Sequence, residues 1–297
     1  TTNNKEGSLM STQITTAFVE QYSSNVSMLA QQMGSRLRSA VDVESVRGKH
    51  AFFDQIGVTA AQVRSTRHGD TPQVTTPHSR RRVGLADYEW ADLIDDLDKV
   101  RMLADPTSSY AKAAAAAMNR SIDDVIITAI GGQAQTGVSG GTNQLLPSSS
   151  KFATSAQSDG MTIAKLLAAK HFFDAGDVDP SIKRYIVCGA KQIQDLLGTT
   201  SVTSADFNTV KALASGQVDS FLGFQFIMSN RLALANTDDR LCYAFTQDAV
   251  KLAIGADVKA KISERDDKSY ATQVYYSMAL GAVRMEEEKV FEIPCDE

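Results

Sequence analysis

The chain has 297 residues, of which 43% are hydrophobic and 22% are charged, so it can form one large domain or two modest ones. These values exclude a wholly disordered chain and a coiled-coil or collagen-like rod. With 30 basic and 35 acidic residues the net charge is -5, which argues against a surface built throughout to bind nucleic acid or acidic membranes.

No targeting segment, membrane span or disulfide framework is apparent. Cys188, Cys242 and Cys295 are far apart and form no CxxC pair, so we expect reduced, buried thiols and no zinc site. No stretch approaches ~18 consecutive apolar residues, and the first residues lack the pattern of a signal peptide. We therefore expect a soluble intracellular product, with residues 1–9 as a leader, a cloning remnant or the edge of a proteolytic cut.

Apolar residues spaced three or four apart predict a long amphipathic helix near the N-terminus. The stripe comprises Ile14, Phe18, Tyr22, Val26, Leu29, Met33, Leu37 and Val41. The other face is polar. Such a helix must bury its stripe either in its own domain or against a neighbouring subunit, and the sequence leaves both open.

The segment from Thr59 to Arg82 is too polar to form a core, because Val63 and Val74 are its only large apolar residues. Its Val, Thr and Gln content favours extended backbone, and a turn is expected around Gly69. We predict a long exposed β-hairpin.

Charge is concentrated in two adjacent blocks. Thr59–Arg82 carries five arginines and one acid, a local charge of +4, and 87–98 carries six acids and no base, a local charge of -6. The blocks could close on each other within one subunit, dock one subunit onto the next, or remain two solvated surfaces. The candidate intersubunit contacts are Arg64, Arg67, Arg80, Arg81, Arg82, Asp92, Asp95, Asp96 and Asp98.

The next segment predicts a long central helix followed by a connector. Thr107–Ser109 supplies helix-capping residues, the alanine run 113–117 strongly favours helix, and Gly131–Gly132 marks its end. Residues 133–150 are rich in Gly, Ser and Asn without charge, which indicates a loop or domain boundary.

The remainder alternates helices and strands and then becomes strand-rich, which predicts an α+β protein. Helices are expected at 162–175 and 191–197, and a loop with a short helix at 201–217. The predicted strands are 185–188, 221–228, 241–245, 250–254, 273–283 and 290–293.

Few residues suggest catalysis or metal binding. Gly137–Gly141 matches GxSxG, but it lies in a polar connector and not between a strand and a helix, so Ser139 is a weak nucleophile candidate. The four histidines have no metal-ligand spacing, and Asp123–Asp124 is expected on a solvated helix face. We expect no enzymatic activity, no cofactor and no metal.

The order of these parts resembles the major capsid proteins of tailed bacteriophages, which have the Hong Kong 97-type fold. The resemblance is carried by the strand region Gly223–Asn230, by the closing run Gly281–Ile293 with its Gly-Ala-x-Arg and acidic residues, and by the succession of segments. It implies five parts: an N-terminal arm (1–45), an extended β-hairpin loop overlapping a neighbour (46–95), a peripheral domain with a spine helix (96–145), an axial domain (146–250) and a return to the peripheral sheet (251–297).

Two departures limit this resemblance. Some members crosslink through a lysine of the extended loop, but 51–98 contains no lysine, so we expect no such crosslink. Some members carry a fused scaffolding region, whereas the arm here is short, so we expect a separate scaffolding protein or a cut before Thr1.

The resulting hypothesis is a major capsid protein that assembles as hexamers and pentamers into an icosahedral shell around double-stranded DNA. It implies contacts with other copies, with scaffolding protein and portal, with a decoration protein and with DNA without sequence specificity, but with no membrane. The location would be the host cytoplasm during assembly and then the virion capsid. Reversal of Arg80, Arg81 and Arg82 to Glu should block assembly without unfolding the chain. The alternatives are a nucleic-acid-binding protein that lays the arginine-rich hairpin on phosphates and, third, a hydrolase using Ser139.

Overall fold

The computed structural model describes residues 31–94 except 65, 68, 70 and 72, and residues 107–152, 159–198, 220–235 and 239–297. These residues form mixed helices and strands, which confirms the α+β class. The strands are β1 (Asp42–Ser45), β2 (His50–Ile56), β3 (His78–Gly84), β4 (Ala86–Ile94), β5 (Ala134–Thr136), β6 (Thr142–Gln144), β7 (Arg184–Cys188), β8 (Ser220–Phe221), β9 (Phe224–Met228), β10 (Asp239–Thr246), β11 (Val250–Arg265), β12 (Ala271–Arg284) and β13 (Val290–Asp296). The helices are α1 (Thr107–Gly131), α2 (Ile163–Ala175) and α3 (Ala190–Gly198).

Helix α1 is the long helix that the alanine run predicted, and it packs chiefly on β12 of the sheet β1-β11-β12-β4. Ile122, Ile126 and Ile130 are spaced four residues apart and buried, so they form its inner face. Ala114 and Ala116 are also fully buried, and their small side chains allow the backbone of a neighbouring element of the same chain to approach closely.

Strand β12 passes the junction of β3 and β4 at a point where only glycine fits. A Cβ on Gly281 would collide with the carbonyl oxygen of Gly84 and lie 3.0 Å from the side chain of Val83. Because a backbone carbonyl cannot move aside as a flexible side chain does, a larger residue would force the strands apart.

The second sheet has the order β13-β10-β7-β9-β8, with β7 and β9 parallel. Helices α2 and α3 and the strands β7 and β10 confirm the predictions for this part of the chain. Within residues 251–297, β11 and β12 pair with each other, whereas β13 pairs with β10 of the second sheet. The reason is that nearly every side chain of β13 is buried, and β10 and α2 provide the apolar cover it requires.

Residues 221–228 were predicted as one strand, but they form β8 and β9 joined by a tight turn. Leu222 and Gly223 have φ values of 54° and 87°, so both are left-handed, as in a type I′ hairpin turn. A leucine in such a position gives no turn signal, which explains the error.

The third sheet has the order β2-β3-β5-β6. The predicted hairpin at 59–82 is wrong for its first arm, because the described residues of 57–77 form no strand and are almost all exposed. Only its end lies in a strand, β3, whose partner β2 precedes the predicted segment. We call residues 57–77 the excursion. Residues 133–150, predicted as a loop or domain boundary, are not a continuous loop, because β5 and β6 form a small hairpin there and β5 extends the sheet beside β3. These strands lack apolar alternation, so no sequence pattern revealed them.

The predicted N-terminal helix is wrong over residues 31–41, and residues 14–30 lie outside the described part of the chain. Residues 31–37 contain no helix, a 3₁₀ turn spans Arg38–Ala40, and β1 follows. Gly34 and Ser35 disfavour a continuous helix, although Leu37 and Val41 of the stripe are buried. The predicted loop at 201–217 lies outside the described residues.

One large core joins the first two sheets, and a smaller one lies beneath the base of the excursion. Cys188, Cys242 and Cys295 are free and buried in the large core, as predicted. Among the described residues, no helix is both long and apolar enough to cross a membrane.

Candidate intersubunit surface

The basic block divides into an exposed part and a part engaged within the chain. Arg64 and Arg67 lie in the excursion with exposed side chains. The Nε of Arg64 donates to the carbonyl oxygen of Thr66 at 3.0 Å. Neither arginine forms an ion pair with any residue that the structure describes. Within the described part of the chain, both charges therefore lack a counterion.

Arg80 is held at the base of the excursion by Asp54, which lies opposite it in the β2–β3 pair. The guanidinium donates to both carboxylate oxygens, at 2.5 Å from Nε and 3.1 Å from Nη2. These hydrogen bonds lower the pKa of Asp54. The Arg80 guanidinium also lies 5.5 Å from the ring centroid of Phe52.

Arg81 is an internal residue with 7% of its surface exposed. Its Nε donates to the carbonyl oxygen of Met285 at 2.8 Å, and its Nη2 donates to the Glu287 carboxylate at 2.7 and 3.0 Å. A charge buried to this extent requires its partner, so Arg81 stabilises the base of the excursion.

Arg82 contacts His50 on the neighbouring strand, with 2.8 Å between Nη2 and the Nε2 of the histidine. Because a guanidinium only donates, this ring nitrogen is the unprotonated acceptor. Desolvation, followed by the charges of Arg82 and Lys49, lowers the pKa of His50.

The His50 contact predicts loss of stability in acid. The unfolded chain takes up this proton near pH ~6.5, whereas the folded chain takes it up at a lower pH, so stability falls as the pH drops below ~6.5. The decrease in melting temperature from about pH 7.5 to about pH 5.5 should be smaller in His50→Gln than in the unmodified protein. His171→Gln, at an exposed position of α2, is the control. If the melting temperature of His50→Gln decreases as much as that of the unmodified protein, His50 is not the source of the acid sensitivity.

The acidic block lies on the edge strand β4. Asp87 and Glu89 are exposed on one face, whereas Asp92 is half-buried on the other, where its Oδ1 accepts from the amide of Leu93 at 2.8 Å. Asp95, Asp96 and Asp98 lie outside the described residues.

The two blocks do not pair with each other among the described residues, because Arg80 binds Asp54 and Arg81 binds Glu287. Neither partner was predicted from the sequence. A hairpin centred on Arg67 would have placed Asp54 opposite Arg80, but Glu287 is brought to Arg81 only by the tertiary fold.

Arg284, in the Gly-Ala-x-Arg motif, caps the C-terminal end of α1. Its side chain is fully buried, and Nη1 donates to the carbonyl oxygens of Ile130 at 2.8 Å and Gly132 at 2.7 Å. Its Nη2 donates to the carbonyl oxygen of Gln144 at 3.0 Å. The helix dipole and these carbonyls offset the cost of burying the charge.

Asp123 attaches the segment preceding β1 to α1. Its buried carboxylate accepts from the amides of Arg36 and Leu37 at 3.1 Å and from the Ser35 hydroxyl at 2.6 Å. The prediction of a solvated face is therefore wrong for Asp123. Its neighbour Asp124 is partly exposed and forms an ion pair with Arg231.

Ser139 lies in the turn between β5 and β6, where the amide of Gly140 donates to the carbonyl oxygen of Gly137 at 3.0 Å. This setting differs from the strand-to-helix turn that a nucleophile elbow requires. Among the described residues, no group of three or more His, Cys, Asp or Glu side chains is arranged to hold a metal ion.

Solved capsid structures share this fold. The capsid of the cyanophage P-SCSP1u is 18% identical with a TM-score of 0.73, over 93% of this chain and 92% of that chain. The Mycobacterium phage Che8 structure is 18% identical with a TM-score of 0.67, over 92% and 96%. The acid-stable capsid of the Helicobacter pylori bacteriophage KHP30 is 11% identical with a TM-score of 0.68, over 99% of both chains. At these identities the likeness establishes the fold alone.

The fold is that of these capsid structures, and it is consistent with the Hong Kong 97-type architecture expected from the sequence. The chain belongs to the phage capsid protein family, whose model matches residues 14–297. It is a structural component of a phage virion capsid. No curated protein matches the chain.

Proposed function

We propose that this chain is the major subunit of an icosahedral phage shell, assembling as hexamers and pentamers that enclose double-stranded DNA. The observation that carries the proposal is the excursion. Its described residues are almost all exposed, and they present Arg64 and Arg67 without an ion-pair partner in the described part of the chain. A segment that buries no core in its own subunit gains stability by lying on a neighbour.

In this proposal the five parts keep the roles that the resemblance implies. The arm (1–45), the extended loop (46–95), the peripheral domain (96–145) and the axial domain (146–250) each contact other copies. In the last part (251–297), only β11 and β12 belong with the peripheral sheet. The subunit would assemble in the host cytoplasm with a separate scaffolding protein and a portal, accept a decoration protein, and contact packaged DNA without sequence specificity. Its activity is assembly and not catalysis.

The contact proposed for the excursion joins Arg64 and Arg67 of one copy to the acidic stretch of the next. Asp92 contributes from the face of β4 opposite to Glu89, with Asp95, Asp96 and Asp98 beyond it in the sequence. Arg80 and Arg82 are half-buried beside Asp54 and His50, so they would contribute only at the edge of this contact between copies. Reversal of Arg81 would place a second carboxylate beside the partly buried Glu287, so the triple reversal of Arg80–Arg82 does not separate folding from assembly.

The proposal predicts an assembly defect in the variant Arg64→Glu/Arg67→Glu. We expect the subunit to fold, but its critical concentration for assembly should rise about tenfold or more. The lost attraction and the new repulsion recur at every contact between neighbouring copies, so their effects accumulate. Light scattering and sedimentation measure this, and added salt should weaken assembly of the unmodified chain through screening.

The matched control is Lys112→Glu/Lys183→Glu, which changes the net charge equally at two exposed positions elsewhere. Equal assembly of the excursion variant and this control would reject the excursion contact. The nucleic-acid alternative predicts instead that the excursion variant assembles normally and loses salt-dependent binding to duplex DNA.

A further inference from the structure

As far as the chain is described, the outer half of the first sheet is a three-stranded ribbon with two open edges. Strand β1 pairs with β11 only along Lys251–Ile254, so β11 has no described strand beside it from Lys259 onward. On the other side, β4 pairs with β12 alone among the described strands. Within the described part of the chain, both edges therefore present unpaired backbone hydrogen-bonding groups.

The two edges carry opposite charge on the same face of the ribbon. In the register, Ser277 of β12 lies opposite Lys259 of β11 on one side and opposite Glu89 of β4 on the other. Lys261 and Asp87 lie two residues along their strands from these positions and so share the face. The Tyr275 hydroxyl donates to Glu89 at 2.9 Å, which places Glu89 on that face.

These charges are not neutralised by any residue that the structure describes. Lys259, Lys261, Asp87 and Glu89 are exposed, and none forms an ion pair with another described residue. The acidic and basic strands are two strand spacings apart, ~10 Å, which is beyond ion-pair distance. Each edge also exposes one large apolar side chain, Leu93 at 44% and Ile262 at 54%.

The arrangement differs from that of a protected edge. Charges placed only to prevent edge-to-edge aggregation work best with the same sign on both edges, since the edges of two copies then repel. Opposite signs attract, so one copy's basic edge complements the acidic edge of the next. Strands β4 and β11 both run antiparallel to β12, so they run parallel to each other. If two neighbouring copies have the same orientation, β4 of one would therefore lie parallel to β11 of the other and continue the sheet.

We propose that copies of this chain associate head to tail through these edges, with β11 of one copy beside β4 of the next. The inference rests on the proposed function, since it names a contact between shell subunits. It is separate from the excursion contact because Glu89 and Asp92 project from opposite faces of β4.

Charge exchange between the edges tests the proposal. Lys259→Glu/Lys261→Glu and Asp87→Lys/Glu89→Lys should each reduce the assembly rate at least about tenfold, while circular dichroism shows a folded chain. The quadruple variant with both exchanges should assemble at a rate near that of the unmodified protein. An equimolar mixture of the two double variants should also assemble, because alternating copies again place acid beside base.

A crosslink distinguishes edge-to-edge from face-to-face association. Glu89→Cys/Lys259→Cys should form disulfide-linked chains in assembled particles, whereas Ser277→Cys, at the centre of the face, should not. Normal shells from both double variants, or crosslinking only through Ser277→Cys, would overturn the edge contact and leave the proposed function standing. An unmodified chain that never assembles would overturn both.

Discussion

Replacing Arg284 with methionine is expected to lower the free energy of unfolding by about 3–5 kcal/mol. The guanidinium is fully buried and donates to three backbone carbonyls, those of Ile130, Gly132 and Gln144. Without it, these acceptors and the nearby Glu287 carboxylate lose a buried partner. Desolvation lowers the pKa of Arg284, and the charge is retained because carbonyls at the end of α1 surround it.

Urea denaturation followed by circular dichroism measures this loss. The control is Arg265→Met, which removes an exposed guanidinium paired with Asp267 in the β11–β12 turn and should change stability by no more than about 0.5 kcal/mol. If Arg284→Met lowers the free energy of unfolding by less than about 1 kcal/mol, the end of α1 does not depend on this cap.

Replacing Asp123 with alanine is expected to lower the free energy of unfolding by about 2–4 kcal/mol. The reason is that the amides of Arg36 and Leu37 lose a charged acceptor in a buried setting. Hydrogen exchange should accelerate at these two amides before it does so in α1, since the segment would detach first. Asp123→Asn retains one acceptor oxygen, so its free energy of unfolding should lie between those of Asp123→Ala and the unmodified chain.

The adjacent residue provides the control. Asp124 occupies the same helix, but its ion pair with Arg231 is partly exposed, so Asp124→Asn should cost no more than about 1 kcal/mol. Equal losses for the two positions would contradict the assignment of Asp123 as the anchor.

The elements predicted correctly depend on local information. The alanine run and paired glycines determine α1, and apolar runs determine β7, β10 and β12 whatever their partners are. The sheet that β13 joins, the burial of Asp123 and the pairing of Arg81 with Glu287 depend on residues distant in sequence. A single sequence contains no direct signal for such contacts.

The candidate surface was predictable in location but not in detail. The polarity of the excursion segment indicated that it would lie outside the core, and the described residues of 57–77 agree. Counting its arginines as one basic block was misleading, because Arg80, Arg81 and Arg82 already have partners at the hairpin base. Likewise, the acidic block has two faces because β4 is a strand, so its carboxylates cannot all serve one contact.

Electron microscopy of the purified protein tests the central claim most directly. With dilution, salt and molecular crowding varied, the account predicts rings of five and six subunits and closed shells of uniform diameter. Particles that remain uniform monomers under every condition, without capsomers, tubes or shells, would contradict it.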